Sequence, residues 1–320
     1  MNTPTVSIIV LTYNQERTIG RTLDSILSQQ TNYSYEIIIG EDASPDDNTR
    51  AICEEYANRY PDTIHLLPSA PNKGVLRNYV DCMAVARGKY IAGCAGDDWW
   101  HDPEKLELQL GFMEAYPEYG VTFTDYDRYS ASDKPEVQQV NASAAYVPPE
   151  GMIYPDLLLR GNFIAAGTVV FLKELYDRYC PMDQYVVHSF AMEDYPMWLE
   201  FSQHTRFKYI PRSTFSYTFI PGSISNSGQD LIKTERFERA ALIVREYYLS
   251  RYPLAGCTIT DLTDNFHRIM IVKSIGAVQY RQARHHAAQL KRLTLKNTIL
   301  RIICFTPLLH LYARRLTRKS

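Results

Sequence analysis

Apolar and β-branched residues fill Thr5-Val-Ser-Ile-Ile-Val-Leu-Thr12 almost without a break, which predicts a short strand buried on both faces. Ile19, Leu23, Ile26 and Leu27 then recur at helical spacing. A second run, Tyr35-Glu-Ile-Ile-Ile-Gly40, predicts another strand, followed by a turn-rich stretch at 43–49 and a helix carrying Ile52 and Tyr56. Ile64-His-Leu-Leu67 reads as a third short strand, and Tyr79, Val80, Met83 and Ala84 mark a helix. That helix leads into Tyr90-Ile-Ala-Gly-Cys-Ala-Gly-Asp-Asp-Trp-Trp100, a strand that stops at two carboxylates and two tryptophans. Strands alternating with helices over about 100 residues predict an α/β fold with a Rossmann-like, mostly parallel sheet flanked by helices.

Further on, Leu106, Leu110 and Met113 predict a helix and Gly120-Val-Thr-Phe-Thr124 a strand. About 130–150 lacks periodicity and reads as a loop able to cover a site. Residues 162–171 are apolar and punctuated by glycine, and Pro196 falls in the first turn of a helix beginning near Glu193-Asp194. Phe207-Lys-Tyr-Ile210 and Ser213-Thr-Phe-Ser-Tyr-Thr-Phe219 alternate like two strands, and Pro221-Gly-Ser-Ile-Ser225 reads as a loop. From about Leu231 the pattern is helical. The expected domains are 1–228, with a nucleotide-binding half at 1–100 and an acceptor half at 101–228, and a helical, basic region at 229–320.

The 320 residues are 45% hydrophobic, enough for one large core with an appendage. The net charge of −2 is unevenly placed. The last acidic residue is Asp264, and 12 Lys and Arg follow it, leaving the rest with 22 basic against 36 acidic residues. Such a tail suits an anionic partner. Leu295, Ile299, Ile302, Ile303 and Phe305 interleave with Lys296 and Arg301, followed by Leu308-Leu-His-Leu-Tyr-Ala-Arg-Arg315. Two readings stand side by side: a helix lying in a membrane interface, or an apolar face docked on the body with a solvated basic back. The periodicity resembles an interfacial helix more than an RNA-binding arm, so no nucleic-acid partner is expected. No stretch of 18 apolar residues is present, and no signal segment opens the chain. Six cysteines without CxxC spacing read as reduced core residues.

Three strand ends carry polar groups that would project to one sheet edge: Thr12 to Glu16, Glu41-Asp42 and Asp97-Asp98. Ligands bind beyond the carboxyl ends of strands in open α/β sheets. Paired carboxylates there can hold a hard divalent cation that keeps phosphate oxygens in its shell. In isolation, the simpler account is that Asp98 caps the next helix and Asp97 is exposed. For Glu193-Asp194 it is a cap near a helix dipole.

Taken in order, Val6-Ser-Ile-Ile-Val-Leu-Thr-Tyr-Asn14 with Glu16, Glu36-Ile-Ile-Ile-Gly-Glu-Asp42 with Ser44 and Thr49, Asn72-Lys-Gly74 with Arg77-Asn78, Gly88-Lys-Tyr-Ile91 leading to Gly96-Asp-Asp98, Glu193-Asp194 with Trp198-Leu199, and the Pro221 loop resemble a family 2 glycosyltransferase of the A-type fold over roughly 4–227. The resemblance implies inverting transfer from a nucleotide-sugar, by family habit a UDP-sugar, to a glycan or lipid-linked oligosaccharide of a cell-surface polysaccharide. It implies that Thr12, Tyr13 and Glu16 border the nucleotide, that Asp42 accepts from a uracil imide, and that Arg77 lies near the base or diphosphate. Asp97, supported by Asp98, would hold Mg²⁺ or Mn²⁺ at the diphosphate. Asp194 would be the catalytic base. On the acceptor side stand Glu193, Trp99, Trp100 and Trp198, the tryptophans as sugar-stacking candidates with core packing as each one's alternative.

Ala95 stands where the family usually has an acid, Ile220 where a His is common, and Thr218 where a basic residue is common. These departures keep open a non-catalytic sugar-nucleotide-binding or scaffold protein. A nucleotidyltransferase would show a glycine-rich loop after the first strand, where Thr-Tyr-Asn-Gln stands here. No Gln-x-x-Arg-Trp motif of processive synthases is present. The expected location is cytoplasmic, with peripheral membrane contact through the C-terminus.

Overall fold

A computed structural model describes residues 3–68, 71–130, 132–219 and 230–306. The chain divides into two compact units, 1–219 and 220–320. The first is built on one sheet whose strands are β1 (Val6–Thr12), β2 (Tyr35–Glu41), β3 (Ile64–Leu66), β4 (Tyr90–Ala95), β5 (Trp99–Trp100), β6 (Tyr119–Ser130), β7 (Pro135–Val137), β8 (Val170–Leu172) and β9 (Arg206–Phe219). Their order is β3-β2-β1-β4-β8-β6-β9-β5, with β7 on β6. The first four are mutually parallel. β8 runs against both β4 and β6, so β6 and its parallel neighbour β9 point the same way as β4.

The apolar runs predicted as strands are strands because helices cover both faces. Val6, Ile8, Val10, Ile37 and Ile39 are fully buried, packed with Ile19, Leu23 and Ile26 of the helix Ile19–Leu27 and with Leu106 and Leu110 of the helix Lys105–Ala115. Each such side chain contributes about 1.5–3 kcal/mol by leaving water. Ser7 and Glu36 interrupt the apolar pattern on β1 and β2, and they bond to each other. Ser7 Oγ donates to Glu36 Oε1 (2.7 Å), which also accepts from the Arg87 N–H (2.9 Å), and Arg87 Nε donates to Glu36 Oε2 (2.9 Å). Burial opposes the Glu36 charge, but these hydrogen bonds bring its carboxyl below the usual range. Gly88 N–H completes the cluster on Ser7 Oγ (2.8 Å).

Three details differ from the sequence-based expectation. The two strands expected at 207–210 and 213–219 are one strand of 14 residues. The register against β6 jumps from Thr124↔Ile210 to Asp125↔Ser213, so Pro211 and Arg212 form a bulge that breaks the alternation. β6 runs on to Ser130, and β7 with a short helix, Val140–Ser143, occupies much of the stretch read as a loop. Trp99-Trp100, expected where the central strand stops, form a two-residue strand of their own paired antiparallel with Phe215 and Ser216.

The second unit contains the helices Leu231–Arg251, Ile259–Gly276, Tyr280–Gln289 and Leu295–Phe305. Buried Asp264 accepts from the Lys291 and Arg292 N–H groups (2.8 and 2.9 Å) and from Asn297 Nδ2 (2.8 Å), fixing the entry to the last helix. That helix docks through Asn297, Leu300, Ile303 and Cys304. Its other side leaves Leu295, Ile299 and Ile302 exposed at 77%, 46% and 49%, with Phe305 beside them at 58%. One face of this helix is therefore docked within the second unit, and a second apolar face is open. The segment Leu308–Arg315 lies outside the described residues, as do Ile220 and the Pro221 loop. Among the described residues no helix is long and apolar enough to cross a membrane. All six cysteines are free thiols, with Cys53, Cys82, Cys94 and Cys304 buried.

A Cβ on Gly88 would overlap the backbone of Val6 and Ser7. Gly88→Ala should therefore lower stability by about 1–3 kcal/mol, the usual range for overpacking, seen as a lower urea midpoint at unchanged slope.

Candidate active site at the carboxyl edge of the sheet

Register levels the strand ends. Thr12 pairs with Glu41 and Leu11 with Ala95, and the bonds Asp42 N–H to Thr12 O (3.0 Å) and Gly96 N–H to Leu11 O (2.9 Å) carry the ladder one step further. Asp42 and Asp97 therefore emerge on either side of Tyr13. β8 enters antiparallel to β4, with Val170 opposite Ala92. The residues before it consequently run alongside the end of β4 toward the same edge, up to Asn162, whose amide bonds Asp194 (2.9 Å). The sequence separates Asp97 from Asp194 by almost a hundred positions, and the segment leading into β8 links Asp194 to the strand paired with β4, which ends just before Asp97.

The Gly96-Asp97-Asp98 turn is held from several directions. Thr18 Oγ1 donates to Gly96 O (2.8 Å) and Thr22 Oγ1 to Asp98 O (2.6 Å), both from the first helix or its start. From the end of β9, Thr218 N–H donates to Asp98 Oδ1 (2.7 Å) and Thr218 Oγ1 to Asp97 O (2.5 Å). Gly96 must be glycine, because a Cβ would stand 2.5 Å from Gln15 Oε1 and 2.6 Å from Thr12 Oγ1. Gln15 accepts from Thr12 Oγ1 (2.8 Å) and hydrogen-bonds Asp97. Burial pushes the Asp97 carboxyl up, against the pull of Gln15 and the Arg21 charge. Asp98 is pushed well above its ordinary value by burial and by Asp97. Asp98 does not cap the next helix, which begins at Lys105. The Glu104 N–H is taken by Asp102 instead (3.0 Å).

This donor set fits a cation held jointly with a ligand. Two adjacent carboxylates carry a charge that burial disfavours, and a divalent ion would relieve it. Ala95 is exposed at the edge and supplies no oxygen from its side chain. Among the described residues no group of three or more His, Cys, Asp or Glu could cage a metal. Mg²⁺ commonly binds through one or two carboxylates with phosphate oxygens and water completing its shell.

On the nucleotide side, Tyr13 is 44% exposed. Thr12 is buried and spends its hydroxyl on Gln15. Glu16 is a staple, accepting from the Asn48 N–H and side-chain amide (both 3.0 Å) while its own N–H donates to Asp47 Oδ2 (3.0 Å). Asp42 accepts from the Lys73 and Gly74 N–H groups, one on each oxygen (both 2.9 Å), and so ties the Asn72 turn to the end of β2. Each oxygen keeps a lone pair for an imide. Arg77 is exposed in the first turn of the following helix, Val75–Val85.

On the acceptor side, Asp194 opens the helix Asp194–Phe201, and its Oδ1 accepts from the Tyr195 N–H (2.7 Å). Burial pushes its carboxyl up. Glu193, half-buried beside it, is pushed up to about 7 by desolvation and by the Asp194 charge. The Glu193 charge also adds to the upward push on Tyr79, on the helix Val75–Val85, after burial and Tyr176. The tryptophans depart from the stacking role. Trp100 and Trp198 are each 2% exposed, and Trp198 packs against Phe171 and Phe201. Trp99 is already stacked, with the Arg21 guanidinium 3.7 Å above its ring and Tyr129 beside it at 4.7 Å. Sequence reasoning missed Gln15, Asn162 and Arg21. Only the first stood inside a recognisable motif.

Residues 7–179 match the family model for Glycosyl transferase family 2, and the chain belongs to that family. Its relatives include a Bacillus subtilis protein named as the glycosyltransferase EpsE, 32% identical over 62% of this chain and 66% of its own length. WfgD of Escherichia coli, a UDP-Glc:alpha-D-GlcNAc-diphosphoundecaprenol beta-1,3-glucosyltransferase, is 30% identical over 61% of this chain and 68% of its own. The chain spans about half the length, 47%, of an uncharacterized Mycobacterium tuberculosis protein with which it shares 36% identity over 53% of its own. Among solved structures, the mannosyltransferase PcManGT from Pyrobaculum calidifontis, in complex with GDP-Man and Mn²⁺, shares the fold at a TM-score of 0.57 with 15% identity, over 98% of this chain and 84% of that one. S. aureus TarS 1–349 in complex with UDP-GlcNAc does so at 0.54 with 15% identity, over 98% and 88%. The fold is the A-type glycosyltransferase fold.

A carboxyl whose pKa is raised in the folded state binds its proton more tightly there than in the unfolded chain. Stability then falls as pH rises from the ordinary carboxylate value to the raised one. Asp97→Asn removes this cost. Without metal or nucleotide, it should raise stability at pH 8 by about 0.5–2 kcal/mol, the range of ordinary stabilising changes at functional sites. The gain should shrink toward pH 4, as followed by thermal melts across pH.

Proposed function

We propose that the protein is an inverting glycosyltransferase that moves a sugar from a UDP-sugar to a hydroxyl of a lipid-linked glycan during cell-surface polysaccharide synthesis. The observation that carries this reading is the donor set of Asp97 and Asp98 just after β4, suited to a diphosphate-bound cation, with Asp194 as the carboxylate that would take a proton. Asp97, with Asp98 behind it, would hold Mg²⁺ or Mn²⁺, which when bound offsets the charge developing on the leaving nucleoside diphosphate. Tyr13 and Arg77 would flank the nucleotide, and Asp42 would accept from the uracil imide. Asp194 would take the acceptor proton as the hydroxyl oxygen attacks opposite the diphosphate. One positioned carboxylate suffices, since the donor carries a good leaving group. The lipid-diphosphate acceptor and UDP donor in the name of WfgD support the substrate classes.

The open apolar face of the last helix supports a peripheral membrane contact. It lies in a segment with basic residues and no acid after Asp264, a composition that favours an anionic leaflet.

Asp194→Asn should lower kcat by about 10²–10⁴, the usual worth of a general base, with donor binding intact in a nucleotide titration. Unchanged glycan production in cells carrying this variant would favour the non-catalytic binding or scaffold reading. Ile299→Glu with Ile302→Glu in the full chain should abolish flotation with vesicles containing anionic lipid while leaving nucleotide binding unaltered. Equal flotation of the variant would remove the helix from the membrane contact.

A further inference from the structure

The helix Tyr154–Arg160 ends at Gly161, whose φ of +92° turns the chain sharply and is a conformation that L side chains rarely adopt. Asn162 follows at once. Its Oδ1 accepts from the Ile164 N–H (3.1 Å), so its amide cannot be turned over without losing that bond. Its Nδ2 is thereby aimed at Asp194 Oδ2, 2.9 Å away. The other oxygen, Oδ1, takes the Tyr195 N–H. Both oxygens of the carboxylate are thus gripped, one by its own helix and one by a side chain from a separate segment. Neither grip uses all the lone pairs, so each oxygen can still accept a proton.

We propose that Asn162 is a positioning residue that fixes the rotamer of Asp194 and keeps its carboxylate ionised for proton abstraction. This rests on the reading of Asp194 as the base. In that step the acceptor hydroxyl gives its proton to Asp194 while its oxygen forms the bond to the anomeric carbon. The old bond's electron pair leaves with the nucleoside diphosphate. The base must therefore begin unprotonated. Its surroundings work against this, because burial favours the neutral acid; the adjacent Glu193 holds its own proton more tightly because of the Asp194 charge. A hydrogen bond donated to the charged form is the counterweight. The backbone N–H groups of Tyr195 and of Asp194 itself supply part of it, and Asn162 supplies the side-chain donor. The same amide also ties Asp194 to the segment that enters the sheet beside β4, so the base is held by the wall that lies nearest the end of the donor-side strand.

The test is the pH profile of kcat/KM, whose acid limb reports the base in the free enzyme. A hydrogen bond to a charged group is worth enough to move a pKa by about one unit. Asn162→Ala should therefore move the acid limb up by about one pH unit, with activity recovering toward wild type near pH 9. Asn162→Asp, which removes the donor and adds a like charge, should move it further. Asn162 is exposed, so truncation leaves no cavity and the thermal midpoint should hold. An unmoved limb, or an equal loss at every pH, would overturn the assignment while Asp194→Asn remained inactive. An active Asp194→Asn enzyme would instead overturn the base reading, and this inference with it.

Discussion

β1 is hydrogen-bonded along both edges over nearly its whole length, to β2 on one side and β4 on the other. That double pairing fixes where three loops begin. A slip of one residue in either register would turn every side chain of the slipped strand to the opposite face and put the Asp42 and Asp97 loops out of step. Buried Ile and Val on both faces make such a slip costly, and the Ser7–Glu36–Arg87–Gly88 cluster pins the amino ends of the same strands. The precision of the site is thus set by hydrophobic burial some distance below it.

Two acidic pairs arrive at that edge and a third opens the helix Asp194–Phe201, and each is treated differently. Glu41-Asp42 is spent largely on backbone: Glu41 accepts from the Ser44 N–H (2.6 Å) and Asp42 from Lys73 and Gly74. Asp97 is half-buried and Asp98 buried, both with raised affinity for protons, so the pair has unmet demand for positive charge. Glu193-Asp194 is a half-buried, like-charged neighbour pair, and only Asp194 receives a side-chain donor among the described residues. The difference between the three pairs follows from who donates to each carboxylate, not from the residue type.

The parallel first half was legible because strands buried on both faces leave continuous apolar runs, and because the intervening helices show their period. The two acidic strand ends were legible for the same reason: they stop those runs abruptly. The rest depended on contacts the chain makes across long separations. β8 has three residues and no periodicity of its own. The bulge at Pro211-Arg212 disguised one long strand as two. Trp99, Trp100 and Trp198 have the composition of a sugar platform, yet two are core residues and the third is covered by Arg21. Asn162 carried no signal, since its meaning lies in an atom of Asp194, 32 positions away.

Thr218 shows how a departure from a family pattern can be read physically. A basic residue common at this position would add charge beside a diphosphate. Here the backbone N–H at this position satisfies Asp98, and the small hydroxyl closes on the Asp97 carbonyl, so the end of β9 clamps the turn from the side opposite Thr18 and Thr22. A long basic side chain could not make that short hydroxyl bond. On the proposed reading the clamp would have a consequence for the cation: with one Asp98 oxygen committed to Thr218 and Ala95 lacking a carboxylate, Asp97 would be the principal ligand among the described residues, with phosphate and water filling much of the shell. A site arranged in this way would bind its metal weakly alone and firmly only with a nucleotide in place, which places the control of metal loading in the donor and not in the protein.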